Sequence, residues 1–405
     1  METTMSRHTV RWTATAAIAA LALAACGGGE DESGGTTDGD SIVIGMVNDT
    51  SGGASAYSPY TTTGVQVAID EINDAGGIDG QQIELITESD GSDTTQTPTI
   101  ARRLIDQGAD LLLLNSGSAS AISAKGVCVE EEVLCVASTN LSADIIKPPN
   151  AENIYILGPT SAGIGDAFSA GMKEAGFQRM AVIADDVPTI QGYVPAIAGA
   201  ITDVGITQVA SEKVPADAAD VTAQIARIED ADPDVVLVMS LGGQTEAVVQ
   251  NALHAQLPGV ARFSLASIGN QPTTWDLADP GALEGLVYVS SIDAGNPRTT
   301  EFAALLEQAG GEYTALTAYG VQGYDSVRLV AEAIEKAGGV EDRAALNETF
   351  QQISGFQASY GQSDFTMSFS ADKHVGSDGN CGLVLGTFGP DNVPGDPWET
   401  YQPTC

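Results

Sequence analysis

Residues 64–80 read GVQVAIDEINDAGGIDG, and residues 42–47 before them read IVIGMV. Val65, Ala68, Ile69 and Ile72 recur at i, i+3, i+4 and i+7, which aligns them on one face of an α-helix. The pattern stops at Ala75-Gly76-Gly77, where a glycine can take the left-handed conformation that closes a helix C-terminus. Residues 42–47 are apolar, rich in β-branched side chains and free of charge. That composition suits a strand buried on both faces of a parallel sheet. Ile83 and Leu85 open a second strand, so the unit is βαβ and the class is α/β.

The alternation continues along the chain. Ile100, Leu104 and Ile105 mark a helix, Leu111–Leu114 a central strand, residues 121–129 a helix and 133–136 a strand. Near residues 154–158 the chain is expected to cross into a second lobe. Helices are predicted there over 165–175, 194–204, 221–228 and 245–253, with strands over 180–184, 235–239 and 263–266. This rhythm argues two doubly wound parallel-sheet lobes. A strand over 286–290 is expected to lead back to the first lobe. Val327, Val330, Ala331 and Ile334 then repeat the helical spacing and end at Ala337-Gly338-Gly339. Residues 364–369 read as a late strand returning to the second lobe.

The wording of these stretches resembles one family. Thr50-Ser51-Gly52-Gly53, the run from Ala68 to Asn73, then Gly76-Gly77-Ile78 and Gly80 are similar to the opening of the type I periplasmic binding proteins. The likeness is to their branched-chain amino-acid and amide-binding branch, which serves ABC importers. Tyr324-Asp325-Ser326-Val327 and the run from Asp364 to Phe369, followed by Asp372 and His374, carry the resemblance almost to the C-terminus. It implies a Venus-flytrap fold with a three-segment hinge. On that pattern lobe 1 comprises residues 41–157 and 289–355, and lobe 2 comprises residues 158–288 and 356–405.

The N-terminus reads as a targeting segment. Arg7, His8 and Arg11 precede an apolar, alanine-rich run from Trp12 to Ala25, too short for a permanent span and laid out like a secretory signal. Leu23-Ala24-Ala25-Cys26 resembles a bacterial lipobox, with residues 1–25 removed and Cys26 carrying the lipid. Residues 26–40 are the expected tether, since from Gly27 to Asp40 there is no apolar residue. The net charge is −38; losing two arginines and one glutamate with residues 1–25 makes it −39. Such a chain repels phosphate backbones and anionic headgroups, which argues against nucleic-acid partners and leaves the lipid as the contact with the membrane. Setting Cys26 aside leaves Cys128, Cys135, Cys381 and Cys405, for which three pairings are possible. Proximity in sequence favours Cys128 with Cys135 and Cys381 with Cys405. No zinc-type spacing accompanies them.

In open α/β sheets ligands lie beyond the C-terminal strand ends, where helix starts present free N–H groups. In the first lobe that rule selects the loops at 115–120 and 137–140, with Ser116, Ser118, Ala137, Ser138 and Thr139. Their hydroxyls and N–H groups suit a carboxylate or carbonyl oxygen. Helix capping is the other use of such residues. The resemblance implies that Ser118 and Ala137 to Thr139 grip a ligand carboxylate and amine. Tyr57 and Tyr60 in the first loop are candidate apolar walls. The second lobe offers Tyr193, the loop at 240–244 including Gly242, and the loop at 267–270. Relatives that bind α-amino acids place an acid where Ser267 stands, and an aromatic near Leu241-Gly242. These departures leave an amino acid, a small amide or urea-like compound and a small carboxylic acid all open.

Catalysis finds little support. His254 and His374 lack an evident nucleophile partner, and no GxSxG, P-loop or HExxH motif is present. Gly163-Ile164-Gly165 is a fragment of a dinucleotide fingerprint without its third glycine, and no cofactor is implied. The expected role is a lipid-anchored extracytoplasmic solute-binding protein working with an importer's permease and ATPase subunits. A surface sensor of the same fold and a hydrolase are the other classes.

Overall fold

The computed structural model describes residues 41–404. The expected signal, Cys26, the tether and Cys405 lie outside the described residues. Five strands form the first sheet: β1 (Ile42–Asn48), β2 (Ile83–Ser89), β3 (Leu111–Leu114), β4 (Cys135–Ala137) and β5 (Ile154–Ile156). Their order is β2-β1-β3-β4-β5, and every pairing is parallel. Side chains alternate across this sheet, as the strand period requires. Leu111 and Leu113 face one core while Leu112 and Leu114 face the other. Each fully buried leucine contributes about 1.5–3 kcal/mol, which is why four in a row are tolerated only in a central strand.

Helices α1 (Ser58–Asp74), α2 (Thr97–Asp106) and α3 (Ser118–Glu130) connect these strands. The second lobe follows with α4 (Ser161–Glu174), β6 (Arg179–Asp185), α5 (Pro188–Asp203), β7 (Thr207–Val214), α6 (Thr222–Asp230), β8 (Val235–Met239), α7 (Gly243–Gln256), β9 (Ala261–Ser264), the short α8 (Ala266–Gly269) and α9 (Pro272–Trp275), and β10 (Val287–Ser290). The chain then supplies α10 (Pro297–Ala309), α11 (Ala318–Ala337) and α12 (Arg343–Gln351), and the strands β11 (Phe356–Gln357), β12 (Thr366–Met367), β13 (Val384–Phe388) and β14 (Pro394–Pro397). The second sheet runs β14-β13-β10-β9-β8-β6-β7. It is parallel from β10 to β7 and gains β13 and β14 as antiparallel strands at one edge.

Helix α11 covers the same face of the first sheet as α1. The two cross so closely that a Cβ on Gly64 would stand 1.9 Å from the Gly320 carbonyl oxygen, and one on Gly323 would stand 2.4 Å from that of Thr61. Only glycine permits that approach. Tyr324 on α11 donates from its hydroxyl to Glu71 of α1 at 2.5 Å. Cys128 and Cys135 form a disulfide joining the last turn of α3 to the start of β4. Cys381 is disulfide-bonded as well.

The chain passes between the two cores three times, as core membership shows. Leu157 belongs to the first and Ile164 to the second; Val289 to the second, with Ile292 packed on the first; Cys381 packs on the first and Leu383 belongs to the second. The last passage comes later than the expected boundary at residue 356. The hairpin β11–β12 turns Phe356, Tyr360, Phe365, Met367 and Phe369 into the first lobe's core, because five large apolar side chains there find a half-built face to cover. Among the described residues no helix is long and apolar enough to cross a membrane.

Candidate ligand-binding site

A cavity lies where strand ends and helix starts of both lobes meet the crossing segments. From the first lobe come Tyr57 and Thr139; from the second, Tyr193, Leu241, Leu265 and Ser267; from the crossings, Pro159, Ser290, Ser291 and Leu383; and from α11, Tyr319 and Gln322. The cavity wall mixes apolar side chains (Leu241, Leu265, Leu383) with hydroxyls and one amide, the lining typical of small-molecule sites. The void therefore suits a compact organic molecule.

The hydroxyls predicted from the two first-lobe loops divide sharply. Ser116 donates to buried Asp90, and Ser138 donates to the side-chain oxygen of Asn115 at 2.5 Å. Ser118 Oγ accepts from the N–H groups of Leu141 and Ser142 at 3.2 and 3.3 Å, and lies 2.7 Å from the Tyr193 hydroxyl. These three serines and Ala137 stand behind the cavity wall. Thr139 is different. It lines the cavity, is only 7% exposed, and its hydroxyl has no hydrogen-bond partner among the described residues. A buried hydroxyl left unpaired costs about 1–3 kcal/mol, and such a group in a cavity wall is placed to meet a ligand.

Tyr193, on α5, reaches across from the second lobe to Ser118, so the two lobes are bonded directly beside the cavity. Burial pushes its phenol up to about 12, offset in part by Ser118, so it remains protonated at neutral pH. Ser267 donates to the Ser240 carbonyl at 2.6 Å. Gly242 shapes the wall without lining it. Its φ is +93°, and a Cβ there would meet the Gln271 side chain at 2.0 Å. Behind Ser240 lie two carboxyls. Burial raises Asp185 to about 6, against bonds from the N–H groups of Leu241 and Val187. Burial likewise raises Glu246 to about 7, although Gln250 and Ser264 both donate to it.

Tyr319 and Gln322 also line the cavity, and nothing in the sequence marks them for it. They are spaced i, i+3 in the first turn of α11, a spacing that reads as core. Tyr319 stacks on Tyr57 with ring centroids 4.7 Å apart, and Gln322 donates to the Gly158 carbonyl at 3.3 Å. Tyr60 is buried beside this pair, edge-on to Tyr313, and does not line the cavity. Among the described residues no cluster of His, Cys, Asp and Glu is arranged to hold a metal ion.

Residues 41–380 match the family model of periplasmic binding proteins. The chain belongs to the periplasmic binding protein family. Relatives of this periplasmic binding protein include the Leu/Ile/Val-binding protein BraC3 of Rhizobium johnstonii, 24% identical over 75% of this chain and 82% of the relative. Another is the leucine-, isoleucine-, valine-, threonine- and alanine-binding protein of Pseudomonas aeruginosa, 24% identical over 74% of this chain and 79% of the relative. Among solved structures, the branched-chain amino acid transporter substrate-binding protein LivJ of Streptococcus pneumoniae, in complex with isoleucine, superposes with a TM-score of 0.77 at 20% identity, covering 90% of this chain and all of that one. The leucine-binding protein LivK of Thermotoga maritima gives 0.75 at 19%, covering 88% and 97%. The periplasmic binding protein described here thus has the type I, two-lobed α/β fold.

Proposed function

We propose that this protein is a lipid-anchored solute-binding protein on the outer face of the bacterial cytoplasmic membrane. It captures a small polar ligand between its lobes and delivers it to the permease and ATPase subunits of an ABC importer, making no covalent bond chemistry. The candidate ligands are an amino acid, as for the relatives named above, an amide or urea-like compound, or a small carboxylic acid. The observation that carries this reading is the unpartnered Thr139 hydroxyl in the wall of a cavity shared by both lobes. Tyr57, Thr139, Tyr193 and Ser267 touch the ligand in this proposal. Ser116, Ser118, Ala137, Ser138 and Gly242 hold the loops that present them.

Capture follows from differential contact. A ligand that touches both lobes favours the closed arrangement by the contacts it makes only there. The Ser118–Tyr193 bond adds to that state. The crossing segments near Pro159, Ser291 and Leu383 are the hinge. Lipid on Cys26 and the tether after it keep the lobes near the importer.

Mass spectrometry of small molecules carried through purification, then calorimetry and small-angle scattering with those compounds, tests the reading. Binding with contraction of the scattering envelope is expected. Tight binding of none, together with an envelope that no co-purifying compound alters, would refute it. For the anchor, Cys26→Ser is expected to release the protein from membranes; retention of that variant, with no lipid on the wild-type N-terminal peptide, would count against it.

A further inference from the structure

A second concavity shares only Ser290 with the cavity described above and lies along the crossing at 290–294 and the β13–β14 edge of the second sheet. The first lobe supplies Ile292, Asp293 and Leu316 to its lining, and the second supplies Trp275, Tyr288 and Val393. Grooves between lobes are favoured places for small molecules to bind. Among the described residues, Leu277, Leu316 and Val393 are the large apolar side chains left exposed, and the last two line this groove. Apolar side chains exposed singly need no explanation, but their gathering in one concave place does.

Tyr288 holds its oxygen in one fixed place. Its ring is slotted between Gly269 and Gly386: a Cβ on Gly386 would stand 2.7 Å from the hydroxyl, and one on Gly269 would overlap the ring. The residue is only 5% exposed, and its hydroxyl has no hydrogen-bond partner among the described residues. Burial pushes the phenol up to about 12, so at neutral pH it is an uncharged hydroxyl that accepts as well as donates. Trp275 has spent its N–H on the Ile268 carbonyl and offers the groove its ring. The lining holds one carboxylate, Asp293, and no Lys, Arg or His. One Asp293 oxygen accepts from the Gly295 N–H at 2.8 Å, and the other has no partner among the described residues. Past Trp275 and Val393 the surface hollow continues with Asp276 and Asp391, again without a cation.

An aromatic wall and a carboxylate both attract an ammonium. An anion finds no counter-charge here and meets the field of a chain carrying −38. A wholly polar cation would leave the exposed leucine and valine uncovered. We infer that this groove is a second ligand site, distinct from the cavity, for a small aliphatic ammonium compound. The charged head sits between Asp293 and the Tyr288 hydroxyl, and the hydrocarbon body covers Trp275, Leu316 and Val393.

Titration calorimetry of the full protein at pH 7 with three probes of one hydrocarbon body tests this: hexylammonium, 1-hexanol and hexanoate. Hexylammonium is expected to bind about tenfold more tightly than either of the others. Asp293→Asn is expected to weaken it about tenfold and Tyr288→Phe about threefold. Both variants keep the side-chain shape, and an unchanged melting temperature checks the fold. Asp106→Asn, which removes the same charge from an exposed position on α2, is expected to leave hexylammonium binding as it was. The inference is overturned by no binding of hexylammonium, by hexanoate binding equally well, or by hexylammonium binding that neither groove variant alters. It is overturned too if Asp106→Asn weakens binding as much as Asp293→Asn does, since the attraction would then belong to the whole chain's charge and not to a site.

Discussion

Thr139→Val separates a binding hydroxyl from a structural one, because the two roles give opposite signs. The substitution keeps the branched shape and removes one oxygen that has no partner among the described residues. Without ligand, an unpaired buried hydroxyl costs about 1–3 kcal/mol, so the variant is expected to unfold at the same temperature as the wild type or higher. With ligand, the lost hydrogen bond and the acceptor left unpaired together weaken binding by about 1–2 kcal/mol, roughly 5- to 30-fold. Differential scanning calorimetry of the ligand-free protein and titration calorimetry with the bound compound read the two signs. A variant that melts lower and binds unchanged would show that the hydroxyl supports the loop, and the reasoning would fail.

Tyr193→Phe removes the interlobe bond to Ser118 at 2.7 Å; a net loss of about 0.5–1.5 kcal/mol predicts that scattering shows closure only at several-fold higher ligand concentration, and an unchanged midpoint would exclude the bond from closure. Gly64→Ala forces a Cβ against the Gly320 carbonyl and is expected to destabilise the first lobe by about 1–3 kcal/mol, read as a lower melting temperature; no change would mean the helices separate at no cost. Burial pushes the Glu246 carboxyl up to about 7 from its ordinary 4.5, so the folded state binds more protons than the unfolded one in that window. Stability therefore falls as pH rises from 4.5 to 7. Asp185, raised to about 6, adds to the slope over the lower part of the range. Glu246→Gln should flatten the slope measured by urea unfolding across that range, and an unchanged slope would show that Glu246 is not its source.

What the sequence disclosed tracks burial on two faces. β1, β3 and β8 stand out as unbroken apolar runs because both of their faces are covered. β7 reads TQVASEKV and went unseen; it is the edge strand, and its alternating exposed residues carry no apolar run. The sequence reads residues 364–369 as a strand of the second lobe, because an aromatic strand does not say which core it covers; the β11–β12 hairpin covers the first. The hydroxyl-rich loops were located from strand ends alone, but residue types cannot tell a satisfied hydroxyl from a free one. Ser116, Ser118 and Ser138 look like Thr139 on paper, and only the partners of their oxygens separate them. Tyr319 and Gln322 were hidden for a related reason. A helix turn that lines a cavity and one that lines a core use the same spacing.

The close crossing of α1 and α11 also sets the order in which this chain can become a protein. The hydroxyl of Tyr324 meets Glu71 across 253 residues of sequence, and the face of the first sheet beneath them includes Ile42, Ile44, Leu111 and Leu113. A chain emerging N-terminus first has made β1 through β5 long before α11 exists. Until then that sheet face lacks its cover, and the loop to be closed is long. The second lobe is contiguous from α4 to β10, with its parallel strands already paired, and waits only for the edge strands β13 and β14 and for Leu383 and Leu385. Folding of the first lobe is thereby tied to the arrival of the C-terminal third, and a chain stalled or cut before residue 318 would present an open apolar face to whatever chaperone or protease meets it.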